Sequence, residues 1–200
     1  LPMPKADVGG TTSVCKNGAP ADISFTGKNS TAPYTFTYNI NGGAEITSTA
    51  TSVSVPSTTA GDFTYTLTRV ASDNGCSQPW TSAAAVTVKD VTATISGTIG
   101  VCLGAASPDI PFTGSGWKSN GPFTFTYLIN GVLQPAITTV SDRCISILAP
   151  TNVAGSFVYE LVSVSAASGC SYPVSGQQAT VTVYPVPIIT GTNSACVNQI

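Results

Sequence analysis

The residues best able to carry chemistry in this 200-residue chain are six cysteines and nine acids, because it contains no histidine. Zinc sites usually combine cysteines in close pairs with histidines, and the chain has no Cys-x-x-Cys pair. Six cysteines in a chain of this size instead favour disulfides and an oxidising, extracellular setting. No metal site is predicted.

Acid-base and nucleophilic catalysis are poorly supported. Without histidine, the Ser-His-Asp and Cys-His arrangements are excluded. The acids are spread along the chain, and only Asp22 and Asp109 recur at equivalent places, where we expect a strand-entry or turn role. The chain has neither an acidic calcium-binding loop nor a glycine-rich phosphate loop. We therefore predict no catalytic residue and no cofactor, and we expect a chain that is not an enzyme.

The composition also limits the partners. Charged residues make up 8% of the chain and the net charge is −2, so no basic face for DNA or RNA is expected. The 42% of apolar residues indicate a folded core rather than a disordered linker. No apolar run is long enough to cross a bilayer, so this segment is not expected to insert into a membrane.

The elements that must position the cysteines are written twice. PYTFTYNING at residues 33–42 returns as PFTFTYLING at residues 122–131, with eight of ten positions identical. AGDFTYTL at residues 60–67 likewise returns as AGSFVYEL at residues 154–161. Such internal repetition predicts an array of equivalent structural units. Three cysteines close related phrases, read GTTSVC, GTIGVC and GTNSAC: Cys15, Cys102 and Cys196.

This repetition sets the expected boundaries. We predict the end of a preceding junction at residues 1–4, one repeat at 5–90, a second at 91–187, and the start of a third at 188–200. A chain with ragged repeats at both ends is most simply a piece of a longer array, so any catalytic domain, signal peptide or membrane anchor could lie outside it. Its predicted partners are therefore the neighbouring repeats of the same long chain.

Each repeat has the pattern of short β-strands. In residues 34–38 aromatic side chains alternate with threonines, which predicts a half-buried strand with the rings in the core. The Asn41-Gly42 pair predicts a turn, after which residues 45–47 return as the hairpin partner. About seven such strands per repeat, without helical periodicity, predict an all-β fold of tandem Ig-like or PKD-like sandwiches. Further strands are predicted at residues 22–26, 52–55, 63–70 and 84–88, and at 109–113, 145–148, 157–164 and 179–183.

The repeated phrases resemble a known group. The order GTTSVC, FTG, PYTFTY, AGDFTYTL, NGCS and VTV is similar to the PKD-like repeats of very large Bacteroidetes surface proteins, including SprB-type gliding adhesins exported by type IX secretion. This resemblance covers almost all of residues 5–187. It implies a long extracellular stalk or filament on the cell surface, with no family catalytic residue to transfer.

The resemblance also implies one disulfide within each repeat, joining Cys15 to Cys76 and Cys102 to Cys170. A regular seven-strand sandwich favours another pairing, because the turn after the first strand and the turn before the last lie at opposite ends. Cys15 would then lie nearer to Cys170 of the second repeat. We expect the pairing within each repeat, because the segments around Cys76 and Cys170 are long enough to bend. Four cysteines allow three connectivities, and the sequence does not choose between them. Under either pairing, Cys196 would pair outside this chain.

Three residues have no counterpart in the other repeat. Cys144 occupies the place of Ala50, and we expect a buried thiol on a strand rather than a reactive cysteine. Trp80 stands where the second repeat has Val174, and Trp117 lies in the inserted loop SGWKSNGP. We expect both rings to cover a junction or the base of a loop. The alternative is that an exposed tryptophan binds a sugar or a protein.

The leading hypothesis is a structural and adhesive repeat segment of an extracellular stalk or filament, in which other copies of the chain are possible partners. The second hypothesis is a carbohydrate- or protein-binding module of a secreted protein, with a surface polysaccharide or a protein as ligand and Trp117 among its contacts.

Overall fold

The computed structural model describes residues 2–188 and 191, which form eighteen β-strands and no helix. The first repeat contains β1 Lys5–Gly9, β2 Thr12–Cys15, β3 Ala21–Lys28, β4 Tyr34–Ile40, β5 Ile46–Ser48, β6 Ser52–Val55, β7 Gly61–Ser72 and β8 Ser77–Lys89. The second contains β9 Thr92–Ile95, β10 Ile99–Cys102, β11 Asp109–Ser115, β12 Phe123–Ile129, β13 Val132–Leu133, β14 Ile137–Thr138, β15 Cys144–Leu148, β16 Gly155–Ala166, β17 Ser171–Pro173 and β18 Gln178–Tyr184.

Each repeat is built from two sheets. In the first repeat, the order β1-β3-β6 forms one sheet and β2-β8-β7-β4-β5 forms the other. In the second repeat, the corresponding orders are β15-β11-β9 and β10-β18-β16-β12-β13, with β14 on β12 and β17 on β16. All pairings are antiparallel except β2 with β8 and β10 with β18. The predicted all-β, Ig-like class is confirmed.

The doubled stretch forms β4 and β12. Phe36 and Tyr38 are buried as the alternation predicts, and so are their counterparts Phe125 and Tyr127. The predicted return strand after Asn41-Gly42 is β5, which pairs with β4. Each strand is an interior strand of its sheet, paired on both sides, with aromatic rings on the inner face.

The repeated Gly-Thr phrase moves the chain from one sheet to the other. β1 pairs with β3, whereas β2, directly after the phrase, pairs with β8 of the other sheet. At the crossing, Gly10 has φ +103° and a Cβ there would lie 2.3 Å from the Asp22 carbonyl oxygen. Gly97 has φ +106° and would meet the Asp109 carbonyl oxygen at 2.7 Å. Only glycine fits both the conformation and the space. The strands that follow these glycines, β2 and β10, are not among those predicted from the sequence.

The repeated Phe-Thr-Gly phrase places a glycine beneath an aromatic ring. A Cβ on Gly27 would lie 2.3 Å from the Tyr34 ring, and a Cβ on Gly114 would lie 2.5 Å from the Phe123 ring. The missing side chain lets the ring of the following strand lie flat on the sheet. The phrase is thus a packing device that occurs once in each sandwich.

Each sandwich has its own hydrophobic core. In the first, Phe25 stacks on Phe36 with ring centroids 5.3 Å apart, and in the second Phe112 lies 5.8 Å from Phe125. Cys15 belongs to the first repeat but packs against the core of the second. The first core comprises Ala6, Ala21, Ile23, Phe25, Phe36, Tyr38, Val55, Tyr65, Leu67, Val70, Ala84, Val86 and Val88.

Candidate functional site at the junction between the repeats

A disulfide joins the two repeats. It links Cys15 to Cys170, with a Cα–Cα distance of 5.5 Å and a sequence separation of 155 residues. The pairing of Cys15 with Cys76 and of Cys102 with Cys170, implied by the resemblance, is therefore wrong. The pairing between repeats that the regular sandwich favoured is the one observed.

The length of β8 explains why Cys15 does not pair with Cys76. Cys15 lies opposite Lys89, the last residue of β8, whereas Cys76 directly precedes the first residue of that strand. Thirteen residues of strand at about 3.3 Å each separate the two cysteines by roughly 40 Å. A disulfide requires Cα atoms within about 7 Å. The same end-to-end arrangement brings Cys15 to the start of the second repeat.

Cys170 is held at that start by a tight hairpin between β16 and β17. The Ala166 N–H donates to the Cys170 carbonyl at 3.0 Å, and the Gly169 N–H donates to the Ala166 carbonyl at 3.0 Å. Gly169 has φ +85°, which closes the turn. Cys170 is 1% exposed, so its half of the disulfide is buried in the second repeat, whereas Cys15 is only partly buried. We call residues 166–171, and residues 72–77 of the first repeat, the cysteine hairpins.

Tyr172 adds a hydrogen bond across the junction. Its hydroxyl donates to the Lys16 carbonyl at 2.6 Å and lies 3.4 Å from the Lys89 carbonyl. Burial, followed by the negative charge of Asp90, raises the pKa of the Tyr172 phenol above 10.0. The phenol therefore keeps its proton at neutral pH and remains a donor.

An ion pair connects the repeats on a second side. Lys118 Nζ lies 2.6 Å from Asp62 Oδ2, and Thr87 Oγ1 donates to Asp62 Oδ1 at 2.7 Å. Hydrogen bonds from Lys118 and then from Thr87 lower the pKa of Asp62 below its usual 3.8. Both charged side chains are partly exposed, so this contact orients the repeats more than it stabilises them.

The inserted loop of the second repeat also contacts the linker. The backbone N–H of Trp117 donates to Asp90 Oδ1 at 2.6 Å. Asp90 and Val91 alone separate β8 from β9, so this bond fixes half of the linker. The junction consists of the disulfide, the Tyr172 bond, the Asp62–Lys118 ion pair and this loop contact.

The two tryptophans have different surroundings. Trp80 packs against the first core, its Nε1 donates to the Ala6 carbonyl at 2.6 Å, and Lys5 Nζ lies 5.2 Å from the ring centroid. The Trp117 side chain is 49% exposed beside the junction. Trp80 is thus occupied by contacts within its own repeat, whereas Trp117 offers a half-free ring.

Three other cysteines form no disulfide among the described residues. Cys76 is partly buried, and Cys102 and Cys144 are exposed. Cys144 lies on strand β15, as expected, but the expectation that its thiol is buried is wrong. In β15 the side chains of Ile145 and Ile147 turn inward, so Cys144 is in phase with the outward positions. The alternation of Ile with other residues in CISIL, residues 144–148, already indicates that Cys144 faces outward. Cys196 and most of the predicted start of a third repeat, residues 189–190 and 192–200, lie outside the described residues.

The open surface of the junction is a groove of about 560 Å³, lined by residues 15–18, 169 and 171–173. Within residues 2–188 and 191, no three or more cysteine, aspartate or glutamate side chains gather as a possible metal site. Asp22 and Asp109 stand at the beginnings of β3 and β11. In the same described part, no helix is long and apolar enough to cross a membrane.

We found no matching family model and no curated protein with a similar sequence. The structure is similar to titin domains I67–I69, with 12% identity and a TM-score of 0.47 over 93% of this chain, which spans 66% of the titin fragment. Sidekick-1 immunoglobulin domains 1–5 match with 14% identity and a TM-score of 0.44 over 92% of this chain and 38% of that one. SGBP-B of Bacteroides ovatus, in complex with a mixed-linkage heptasaccharide, matches with 17% identity and a TM-score of 0.28 over 86% of this chain and 43% of that one.

Proposed function

We propose that this chain is a structural and adhesive repeat segment of a long extracellular stalk or filament, without a catalytic role. The observation that carries the proposal is the covalent Cys15–Cys170 junction. In its finer form, the stalk is a cell-surface adhesin of the Bacteroidetes type, including gliding adhesins. The repeats keep the boundaries 5–90 and 91–187, which agree with the linker between β8 and β9.

The junction restricts bending. The linker has two residues, Asp90 and Val91, and short linkers give little freedom between domains. The disulfide closes a second connection beside it, and the Tyr172 bond and the Asp62–Lys118 ion pair oppose rotation. The pair of sandwiches therefore acts as one semi-rigid rod segment.

The disulfide also redirects mechanical load. A pull on the two chain ends enters along β1 and β2, crosses from Cys15 to Cys170, and leaves along β17 and β18. Residues 16–169 carry little of this load, because the covalent bond bypasses them. The interiors of both sandwiches are thus protected from extension, which suits a load-bearing stalk.

A disulfide at this position requires an oxidising compartment, which supports an extracellular site of action. Only 8% of the residues are charged, and Ser and Thr are frequent, which gives a weakly charged surface suited to an inert stalk. Recognition of a surface would then belong to a separate part of the full protein.

The test is single-molecule stretching of the chain, pulled from its ends with and without a reductant. The oxidised chain should lengthen little before the bond is cut, whereas the reduced chain should gain about 50 nm from the 155 residues released. Cys15→Ser should behave like the reduced protein without any reductant, and Cys144→Ser should behave like the oxidised wild type. Equal extension of oxidised and reduced protein would refute the mechanical role.

Cell-surface placement is tested separately by electron microscopy of the source cells, labelled with an antibody against the two repeats. We expect label along beaded fibres. Label confined to compact soluble particles would refute the stalk.

The second candidate function, a carbohydrate- or protein-binding module, is favoured by the half-exposed ring of Trp117 beside the junction. Trp117→Ala should then abolish binding to a glycan array. Tyr184→Ala is the matched control, because Tyr184 is a 56% exposed aromatic residue at the far end of β18. Absence of binding by the wild-type chain would count against this function.

A further inference from the structure

The Cys15–Cys170 bond has two halves, each with a local geometry that recurs elsewhere in the chain. The first half is a turn after β2. There the Lys16 N–H donates to the Lys89 carbonyl at 2.7 Å, and the Gly18 N–H donates to the Cys15 carbonyl at 2.9 Å. These bonds hold Cys15 beside the end of the last strand of its repeat. We call residues 15–18, and residues 102–105 of the second repeat, the cysteine turns.

The second cysteine turn reproduces the first. The Leu103 N–H donates to the Tyr184 carbonyl at 2.8 Å, and the Ala105 N–H donates to the Cys102 carbonyl at 3.0 Å. Gly104 takes φ +77° where Asn17 takes φ +57°. Cys102 is therefore held beside the end of β18, where the chain leaves the second repeat, and it is exposed there.

The two cysteine hairpins also match. In the first repeat, the Ser72 N–H donates to the Cys76 carbonyl at 2.9 Å, and the Gly75 N–H donates to the Ser72 carbonyl at 3.0 Å. Gly75 has φ +81°, within a few degrees of Gly169 in the other hairpin. Cys76 is thus fixed by the same hydrogen bonds as Cys170.

The hairpin that contains Cys76 faces the end at which the chain enters the first repeat. Gln78, at the place of Tyr172, donates from Nε2 to the Pro4 carbonyl at 2.6 Å. Tyr172 similarly points its hydroxyl at the carbonyls of Lys16 and Lys89, where the chain enters the second repeat. The two hairpins therefore lie at corresponding ends of their repeats.

We propose that Cys102 and Cys76 are the two halves of the same inter-repeat disulfide, each of which pairs with the complementary cysteine of a further repeat of this type. Cys102 forms a disulfide with the hairpin cysteine of the repeat that follows. Cys76 forms a disulfide with the turn cysteine of the repeat that precedes. The occupant of each end is a sandwich with the same cysteine turn and cysteine hairpin. Contacts of this kind are head-to-tail and form open rods.

Formation of each bond removes one proton and one electron from each of two thiols. A thiolate attacks a dissolved disulfide such as oxidised glutathione, and the mixed disulfide is then attacked by the second thiol. The sulfur–sulfur bond forms between the two cysteines, and glutathione leaves as two reduced thiols. A thiol–disulfide oxidant of this class is the co-reactant required.

This inference rests on the proposed stalk function and deepens it. With a disulfide at every junction, successive bonds overlap along the sequence, because Cys102 precedes Cys170. The load path then passes from repeat to repeat through covalent bonds, and no sandwich is extended in full. The resulting rod lengthens only after a disulfide is reduced.

The first experiment uses the full chain with Cys144→Ser and Cys196→Ser, which leaves the four cysteines of the two turns and hairpins. Concentrated protein is equilibrated with reduced and oxidised glutathione, blocked with N-ethylmaleimide and separated on non-reducing gels. We expect ladders of covalent oligomers in which peptide mass spectrometry finds Cys76 joined to Cys102. Random oxidation would instead give Cys76–Cys76 and Cys102–Cys102 bonds in amounts similar to the mixed bond, and that result would overturn the proposal.

A duplicated chain removes the need for association in solution. Residues 1–187 are followed directly by residues 5–200, so that Cys102 and the second-copy Cys76 are 157 residues apart, 85 up to residue 187 and 72 beyond it. The observed bond spans 155 residues. We expect this Cys102–Cys76 bond to form quantitatively, and its absence would overturn the proposal.

The matched control is Cys102→Ser in the same duplicated chain, which should leave the central Cys76 free for alkylation and both Cys15–Cys170 bonds intact. The two proposals fail in different ways. Loss of the Cys102–Cys76 bond while Cys15–Cys170 persists refutes only this inference, whereas a chain without Cys15–Cys170 under the same conditions refutes the mechanical function as well.

Discussion

The two repeats have the same interior and different edges. Phe25 and Phe36 of the first sandwich correspond to Phe112 and Phe125 of the second, in the same strands and on the same face. By contrast, Asp62 of the first repeat corresponds to Ser156, and the loop that carries Lys118 is inserted only in the second. The two sandwiches thus share their core residues and differ in the side chains that meet at the junction.

This difference separates two kinds of contact at the junction. The cysteine turn and cysteine hairpin occur in both repeats, so the backbone geometry at these cysteines is common to the two repeats. The Asp62–Lys118 ion pair needs one residue that only the first repeat has and one that only the second has. The junction therefore combines a disulfide whose backbone surroundings recur in both repeats with an ion pair particular to this pair of repeats.

The largest effect should come from the shared interior. Phe25→Ala and Phe112→Ala each remove a ring that is 2% or 0% exposed, and each should lower the free energy of unfolding of its own repeat by about 3–5 kcal/mol. Hydrogen exchange followed by mass spectrometry resolves the two repeats. Equal losses confined to the mutated repeat are expected, and losses spread over both would show that the sandwiches unfold as one unit.

The next effect concerns the bond that unites the repeats. Replacement of Cys15 and Cys170 by serine together should lower stability by about 2–4 kcal/mol, because a loop of 155 residues is released. Chemical denaturation measures the loss, and small-angle scattering measures the wider range of inter-repeat angles. Cys144→Ser is the control, since Cys144 is exposed and has no disulfide partner among the described residues. A double variant as rigid as wild type would mean that the linker alone sets the angle.

A smaller effect is expected from the glycines beneath the rings. Gly27→Ala and Gly114→Ala should each cost about 1–3 kcal/mol, because the added methyl forces the Tyr34 or Phe123 ring out of its place. Gly42→Ala is a useful contrast, since nothing lies within 4 Å of its Cβ position and only its φ of +73° opposes the change. The midpoint temperature of thermal unfolding should be well below the wild-type value for Gly114→Ala. A neutral result would show that the rings shift freely.

The smallest effect should be the pH dependence of the ion pair. Lys118 and Thr87 lower the pKa of Asp62, so the folded state binds this proton less readily than the unfolded chain. The stabilising contribution of ionised Asp62 to the folded state is therefore fully present above pH 3.8 and is lost as the pH falls through the lowered pKa of Asp62. Inter-repeat fluorescence transfer should report a slight loosening in that range. Asp62→Asn should remove the transition, while Asp7→Asn, which breaks the Asp7–Lys28 contact inside the first repeat, should not.

Much of the fold could be predicted from local pattern. The alternation in the doubled stretch assigned β4 and β12 with their buried rings, and the predicted strand at residues 52–55 coincides with β6. The reading missed β2 and β10, because a strand that leaves one sheet at a glycine and joins another has no distinct local signal. The strands with which they pair lie 74 residues away for β2 (Thr12 with Val86) and 82 residues away for β10 (Ile99 with Val181).

The side-chain contacts at the junction between the repeats could not be predicted from local pattern. Trp80 and Trp117 are two of the three residues without a counterpart in the other repeat. Their sequence neighbours do not indicate that the Trp80 ring donates to Ala6 or that the Trp117 backbone donates to Asp90. No sequence pattern identifies Lys118 as a junction residue, since its partner Asp62 belongs to another sandwich. A surface lysine in a loop has no sequence mark that distinguishes it from a solvated one.

The sequence by itself determined the repeated unit, the all-β class, the inner aromatic residues and the chemistry available, in which thiols are the only strong candidates. Those properties follow from side-chain type and from period-two alternation, which act over a few residues. Only the tertiary structure decided which thiols meet. Cys15 and Cys76 belong to one repeat but lie at opposite ends of β8, and stacking of the sandwiches brings Cys170 to Cys15 instead.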